Sequence, residues 1–393
     1  MKNKFLKMSE ETLSKFSKFF KKYKKIVIKV GSSLLVDQDS GELKNEWIQG
    51  LAKNISILRA IDKEVIVVSS GAIALGRNVI DLETKNLKLE QSQAAAAIGQ
   101  ITLAHAWKYA LGKENIKCAQ ILLSPEDTET RRKHLNARAT LSTLLQFGVV
   151  PVINENDTIT TSEIRFGDND RLAARVSQMS SSDLLILLSD IDGLYDKDPN
   201  FYSNAKHIAI VNEISKDIIK MAGSSNYEYA SGGMITKVEA AKITRVSGCN
   251  LIICNGEKIN SIRFLAEGSR HTLFKANNTP LSARKSWIAA GLNIDAGISL
   301  DKGAVLALKN GSSLLPAGIL NVFGSFERGD LINILDQNNV KVASGLTAYG
   351  SGETKLIAGK NTKQIKNLLG YSGRDEIIHR DDLVLNEKNI ESL

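Results

Sequence analysis

Five consecutive apolar residues, Leu184-Leu185-Ile186-Leu187-Leu188, run directly into Ser189-Asp190-Ile191-Asp192-Gly193. A strand with one wet face alternates apolar and polar residues. An unbroken apolar run marks a strand covered on both faces, as in a parallel sheet sandwiched by helices. Open sheets of this kind bind ligands at the carboxyl ends of their strands. The small and acidic residues that end this run therefore lie on a rim where chemistry is done. Just upstream, Phe166-Gly167-Asp168-Asn169-Asp170 crowds polar groups around a glycine and opens a helix-like segment.

The pattern recurs along the first two thirds of the chain. Strand-like runs fall at 26–30, 65–69, 118–122, 149–153, 184–188 and 250–253, with helix-like segments at 45–61, 91–111, 133–147, 170–181 and 234–247. This alternation predicts βαβ units and a parallel sheet with helices on both faces. Beyond 255 a polar, turn-rich stretch (256–293) leads to short strand-like pieces at 298–300, 304–308, 318–322, 331–334 and 341–343. Their spacing, with glycines between, predicts a small β-barrel. The expected fold is thus α/β, a mostly parallel sheet sandwiched by helices, plus a small C-terminal β-barrel. The expected divisions are a lysine-rich extension (1–24), an α/β domain (25–280), a linker (281–293), the barrel (294–372) and a tail (373–393).

A net charge of +8 invites a nucleic-acid reading until it is located. Residues 1–25 hold nine lysines against Glu10 and Glu11, a net of +7, which leaves about +1 for everything else. The basic character therefore belongs to a tail, read here as a solvated or loosely docked extension with some helical amphipathicity from Phe5, Leu13, Phe16, Phe19 and Phe20. No run approaches the roughly 18 apolar residues that span a bilayer. Cys118, Cys249 and Cys254 are an odd set without paired spacing. That argues against a disulfide framework and for a cytoplasmic location, with buried thiols rather than a zinc site.

Four segments carry chemistry. Lys29 interrupts the apolar run Ile26-Val27-Ile28-Lys29-Val30 just before Gly31-Ser32-Ser33. Burying an ammonium there is costly unless an anion meets it; the competing reading is an edge-strand lysine that reaches solvent. Ser69-Ser70-Gly71-Ala72 ends a second strand and opens a helix, so it is either an anion site or an ordinary helix cap. Gly71 and Gly76 have Walker spacing, but Arg77-Asn78 follows them, which excludes a P-loop. Pro151-Val152-Ile153-Asn154-Glu155-Asn156-Asp157 ends a third strand in four amides and carboxylates, suited to an ammonium or a metal, or to Asx-turn chemistry. Ser231-Gly232-Gly233-Met234-Ile235-Thr236-Lys237 leads into a helix. A lysine in the first helical turn is unfavourable alone, which suggests an anion bound beside it. Together these pieces suit phosphoryl transfer onto a small polar acceptor, chemistry that is mostly positioning and electrostatics.

These motifs, with Leu135-Asn136-Ala137-Arg138 and, further on, Gly311-Ser312-Ser313-Leu314-Leu315-Pro316 and His379-Arg380-Asp381-Asp382, resemble the glutamate 5-kinase family of the amino acid kinase superfamily, which carries a C-terminal PUA domain. The likeness runs from about Lys25 to Asp382. It implies transfer of phosphate from ATP, with Mg²⁺, to the side chain of L-glutamate, the first step of proline synthesis, with proline as feedback inhibitor. It also implies that Ser70, Asp157 and Asn169 meet glutamate, while Ser189, Asp190 and Ser231 to Lys237 (Ser231, Gly232, Gly233, Met234, Ile235, Thr236, Lys237) hold ATP. Lys29 and Lys237 would stabilise the phosphoryl group, Lys29 also touching ATP, with Asp170 orienting the lysines and Asp168 in support. No protein ligand to the metal is named. A glutamate side chain has a pKa of about 4.3 and is already a nucleophilic carboxylate at neutral pH. No general base is required, and His134 is left to cap or line its helix. A homo-oligomer, and contact with a separate reductase that consumes the labile acyl phosphate, are further expectations. Two alternatives stand beside this: a kinase of the same superfamily acting on aspartate or N-acetylglutamate, and an RNA-binding PUA protein. Residues 294–372 hold eight Lys/Arg against six Asp/Glu, a poor footprint for nucleic acid.

Overall fold

The computed structural model describes residues 10–37, 39–80, 87–159, 168–223, 233–289 and 295–386. The chain divides into two compact units, Met1–Pro280 and Leu281–Leu393. In chain order the first begins α1 (Glu10–Phe20), β1 (Lys25–Val30), α2 (Ser32–Leu35), α3 (Asn45–Ala60), β2 (Glu64–Ser69), α4 (Ala72–Val79) and α5 (Leu89–Lys113). It continues β3 (Cys118–Leu123), α6 (Pro125–Glu129), α7 (Arg131–Gln146), β4 (Val150–Glu155), α8 (Asp168–Ser180) and β5 (Leu184–Ser189). Then come β6 (Leu194–Tyr195), β7 (His207–Ile208), β8 (Ile210–Val211), α9 (Lys216–Met221), α10 (Met234–Val246), β9 (Asn250–Asn255), α11 (Ser261–Ala266) and β10 (His271–Phe274).

Eight strands form one sheet in the order β3-β4-β2-β1-β5-β9-β10-β8. Every neighbouring pair is parallel except β9–β10. The mostly parallel, helix-covered sheet foreseen from the apolar runs is what forms. Among the described residues no helix is long and apolar enough to cross a membrane.

Alternation along β1 decides which layer each residue meets. Ile26, Ile28 and Val30 face a core built with Trp47, Leu51, Ile55, Leu103 and Trp107 of α3 and α5. Val27 faces the opposite core, with Ala173 and Val176 of α8 and Val238 and Ala241 of α10. Lys29 shares the parity of Val27, so the strand aims it at the layer of α8 and α10.

The lysine-rich extension departs from expectation. Leu13, Phe16 and Phe20 lie on one stripe of α1, and Phe16, Phe20 and Tyr23 are buried in the core beside Ile26 and Ile28. Burying three aromatic rings outweighs the lysines, which occupy the opposite face of the helix and stay wet. Residues 10–23 are therefore part of the domain rather than a loose tail.

Helix α12 (Pro280–Ala289) starts at the last residue of the first unit and occupies most of 281–293, where a linker was expected. Proline at the first helical position starts it, and Arg284 pairs with Asp382 at 2.5 Å. Next come β11 (Gly297–Leu300), α13 (Lys302–Lys309), β12 (Ile319–Phe323), β13 (Leu331–Leu335), β14 (Lys341–Leu346), α14 (Ser351–Ile357), α15 (Ile365–Leu369) and β15 (Leu383–Leu385). The five strands form one sheet in the order β12-β11-β13-β14-β15 over a core of Ile298, Leu300, Ile332, Ile334 and Val342. Residues 304–308, read as a strand, are helical. The Asp301 side chain accepts the Ala304 N–H at 2.7 Å, and Val305 and Leu308 meet the core at helical spacing.

Candidate active site

Five strand ends converge on one rim. β1 delivers Lys29, β2 leads to Ser70, β4 ends in Asn154 and Glu155 ahead of Asp157, β5 ends at Ser189 before Asp190, and β9 ends at Asn255. The strands run parallel, so these groups share the carboxyl edge of the sheet, the usual ligand edge. Lys29 pairs in register with Val68 on one side and Leu187 on the other. β1 is therefore a central strand, which removes the edge-strand reading of this lysine.

Asp170 sits in the first turn of α8 and is fully buried. Its Oδ1 lies 2.7 Å from Lys29 Nζ and its Oδ2 3.1 Å from Lys237 Nζ. The Thr236 hydroxyl donates to Oδ2 at 2.8 Å. Burial pushes the Asp170 carboxyl up, but the two ammonium groups outweigh it and hold it below the usual carboxylate range. Lys29 and Lys237 are themselves only 8% and 5% exposed. Among the described side chains, two buried cations thus share one buried anion, a set with a net positive charge. That is costly in an apolar interior and favours an incoming anion.

Asn169 precedes Asp170 on the same helix, and successive helical residues point about 100° apart. Asn169 accordingly faces the other way. Its Nδ2 donates to Ser70 Oγ at 2.6 Å and lies 3.4 Å from Asn154 Oδ1. Its own Oδ1 is buried without a hydrogen-bond partner. Asp157 is 9% exposed, and burial pushes its carboxyl up to about 6. An orphaned amide oxygen and a buried carboxylate are two acceptors suited to an ammonium group. In the same run Asn156 takes the Thr158 hydroxyl at 2.7 Å, the local turn chemistry anticipated for part of the segment.

On the third side, Ser189 Oγ donates to Asp190 Oδ1 at 2.8 Å, while Asn255 Nδ2 reaches the Asp190 carbonyl at 3.2 Å. Gly233 caps α10, and Met234 and Ile235 form its first turn, half-buried. Ser231 and Gly232, like Phe166 and Gly167, lie outside the described residues, as does the Asp168 side chain. Among the described residues no group of three or more acidic, His or Cys side chains forms a metal cage. Both oxygens of Asp170 face ammonium groups.

Residues 24–255 match the model of the amino acid kinase family, and residues 297–369 match the PUA domain. Over 366 residues, 93% of each chain, the sequence is 51% identical to the glutamate 5-kinase of Allorhizobium ampelinum. It is 50% identical over 373 residues, 95% of each chain, to glutamate 5-kinase 1 of Rhizobium meliloti. The glutamate 5-kinase of Nitrobacter hamburgensis is 50% identical over 365 residues, 93% of this chain and 96% of its own. The chain belongs to the glutamate 5-kinase family. The family resemblance read from the strand-end motifs, and the amino acid kinase fold it implied, are thereby borne out.

In this family member one residue of the polar network, Gln100, escaped the sequence reading. Asn154 is 3% exposed and donates to Gln100 Oε1 at 2.8 Å, so a side chain from α5 enters the polar network. The available signal was a glutamine between Gly99 and Leu103 in a helix otherwise rich in alanine and apolar residues. Gly76 also has a use other than phosphate contact. A Cβ there would fall 1.8 Å from the Ala95 carbonyl oxygen, so this glycine lets α4 and α5 touch. Gly71 adopts φ +110°, the left-handed conformation that starts α4 immediately after Ser70. His134 Nδ1 lies 3.2 Å from the Thr128 carbonyl, and burial lowers its pKa. It lines α7 and stands apart from the groups described above.

Proposed function

We propose that this chain transfers the γ-phosphoryl group of ATP to the side-chain carboxylate of L-glutamate, giving ADP and L-glutamyl 5-phosphate, the first committed step of proline biosynthesis. The observation that carries the reading is the orientation of two adjacent residues. Asn169 belongs to an acceptor pocket fitted to an ammonium group, and Asp170 to a lysine pair fitted to an anion.

The chemistry follows from charge. The attacking carboxylate is anionic at neutral pH, so no base need remove a proton. The barrier is repulsion between this carboxylate and the triphosphate. Lys29 and Lys237, both buried, offset it from both sides of Asp170. Asp170 holds the ammonium groups in place without becoming protonated. Asp157, Asn169 and Ser70 fix the amino acid, while Ser189, Asp190 and the start of α10 take the nucleotide. Mg²⁺ bound to the triphosphate would neutralise part of its charge.

The deciding measurement is ADP release with glutamate, aspartate or N-acetylglutamate as sole acceptor. Turnover with glutamate alone supports the proposal; turnover with either of the others and none with glutamate refutes it. An acylated amine carries no positive charge to meet Asp157, which is why the free amino acid is favoured. Inhibition by proline, assembly as a homo-oligomer and contact with the reductase that takes the acyl phosphate belong to the same proposal. Unchanged glutamate kinetics at millimolar proline would remove the first of these.

A further inference from the structure

We infer that Thr236 is a positioning residue of the phosphoryl-transfer centre. Its hydroxyl ties the Asp170 carboxylate to α10, so that the carboxylate keeps its orientation when the Lys29 and Lys237 ammonium groups turn to the phosphate. This rests on the reading of that lysine pair as the reacting centre. The family resemblance put Thr236 among the residues that hold ATP; its contacts give the side chain a different task.

The partners of the hydroxyl settle its direction. A hydroxyl has one proton, and Thr236 Oγ1 lies 2.8 Å from Asp170 Oδ2 and 2.9 Å from the Gly233 carbonyl oxygen. Neither partner can donate. One is a carbonyl, and the other is a carboxylate beside two ammonium groups. The Gly233 carbonyl already accepts the Thr236 backbone N–H at 3.2 Å. The hydroxyl proton is therefore available to the carboxylate, where a charge-assisted bond is the stronger one.

The lysines do not orient Asp170 by themselves. Lys29 Nζ approaches Oδ1 to 2.7 Å, yet no hydrogen bond of good geometry reaches Oδ1, so this contact supplies charge without direction. Lys237 Nζ donates to Oδ2 at 3.1 Å. An ammonium group rotates about its own axis and carries three protons, and both lysines must point protons at phosphate oxygens during transfer. The Thr236 hydroxyl sits on a short side chain in the first turn of α10, beside the Gly233 cap, and does not have to move. Without it the carboxylate can turn about its Cβ–Cγ bond as either lysine shifts, and the two cations lose their common anchor.

Thr236→Val removes the hydroxyl and keeps the shape, whereas Thr236→Ser keeps the hydroxyl and removes the methyl. The rate of a single turnover, followed as ADP formation by the full chain at saturating ATP and glutamate, separates the chemical step from binding. Thr236→Val should lower this rate about tenfold or more, the scale of a hydrogen bond to a buried charged group. The KM values for ATP and glutamate should stay within about twofold, and Thr236→Ser should turn over within about threefold of the unaltered chain. If Thr236→Val does not fold, Thr236→Ala takes its place with the same expected loss. The inference is overturned if removing the hydroxyl leaves the single-turnover rate unchanged, or if Thr236→Ser loses as much as Thr236→Val. It is equally overturned if the loss lies in the KM for ATP, which would make Thr236 a nucleotide ligand. An unaltered chain that releases no ADP with glutamate would instead refute the assigned reaction, and this inference with it.

Discussion

Replacing Asp157 by asparagine should make the ligand-free protein more stable at neutral pH while disabling it. Burial holds this carboxyl at about 6 instead of its ordinary 3.8. At about 1.4 kcal/mol for each pH unit, keeping it ionised in the folded state costs about 3 kcal/mol. The sign follows from proton counts. Between pH 3.8 and about 6 the folded chain holds a proton here that the unfolded chain has released. The contribution of Asp157 is therefore fully present below 3.8 and is lost as pH rises through 6. Asparagine does not titrate, and all other groups cancel in the comparison. Asp157→Asn should match the unaltered protein near pH 4 and exceed it by about 1–3 kcal/mol at pH 8. Urea unfolding followed by tryptophan fluorescence is a suitable assay, because Trp47 and Trp107 are both buried in the first unit. Saturating glutamate should restore the unaltered protein at pH 8 and leave the variant unmoved, since the ammonium group is what the carboxylate lacks. A stability difference that is the same at pH 4 and pH 8, or a variant that is weaker at pH 8, would refute the reasoning.

Other outcomes follow from the same geometry. Lys237→Ala removes one of two cations from the reacting centre and should lower kcat about 10²–10³-fold, with little change in the KM for glutamate, in steady-state assays. Equal loss in glutamate binding would place this lysine on the acceptor side instead. Gly76→Ala drives a methyl group into the backbone of α5 and should destabilise the first unit by about 1–3 kcal/mol, read as a lowered unfolding midpoint. Phe20→Ala should cost about 3–5 kcal/mol and lower the melting temperature of the kinase domain, whereas Lys18→Ala on the exposed face should be nearly silent. If both substitutions are silent, α1 does not belong to the core.

Much of this protein is legible one segment at a time. The runs 26–30, 65–69 and 184–188 specify buried parallel strands because a continuous apolar pattern is compatible with little else, and the polar residues that end them mark the ligand edge before any coordinate is known. Local spacing misleads where two elements share a composition. Residues 304–308 are an unbroken apolar run short enough to pass for a strand, but the Asp301 cap and the contacts of Val305 and Leu308 make them a helix. The aromatic stripe of α1 is visible in sequence, yet only the presence of an uncovered sheet face turns it from a loose tail into core.

The sequence by itself determined the strands, their polar ends and the lysines that sit among apolar neighbours, because these depend on residues a few positions apart. Tertiary structure alone decided that β1 is central, that Lys29 and Lys237 meet on one carboxylate, and that Gln100 reaches Asn154 from 54 residues away. Those facts depend on strand order and on close helix contacts such as Gly76 against Ala95, and no local pattern encodes which distant side chain fills a buried polar vacancy.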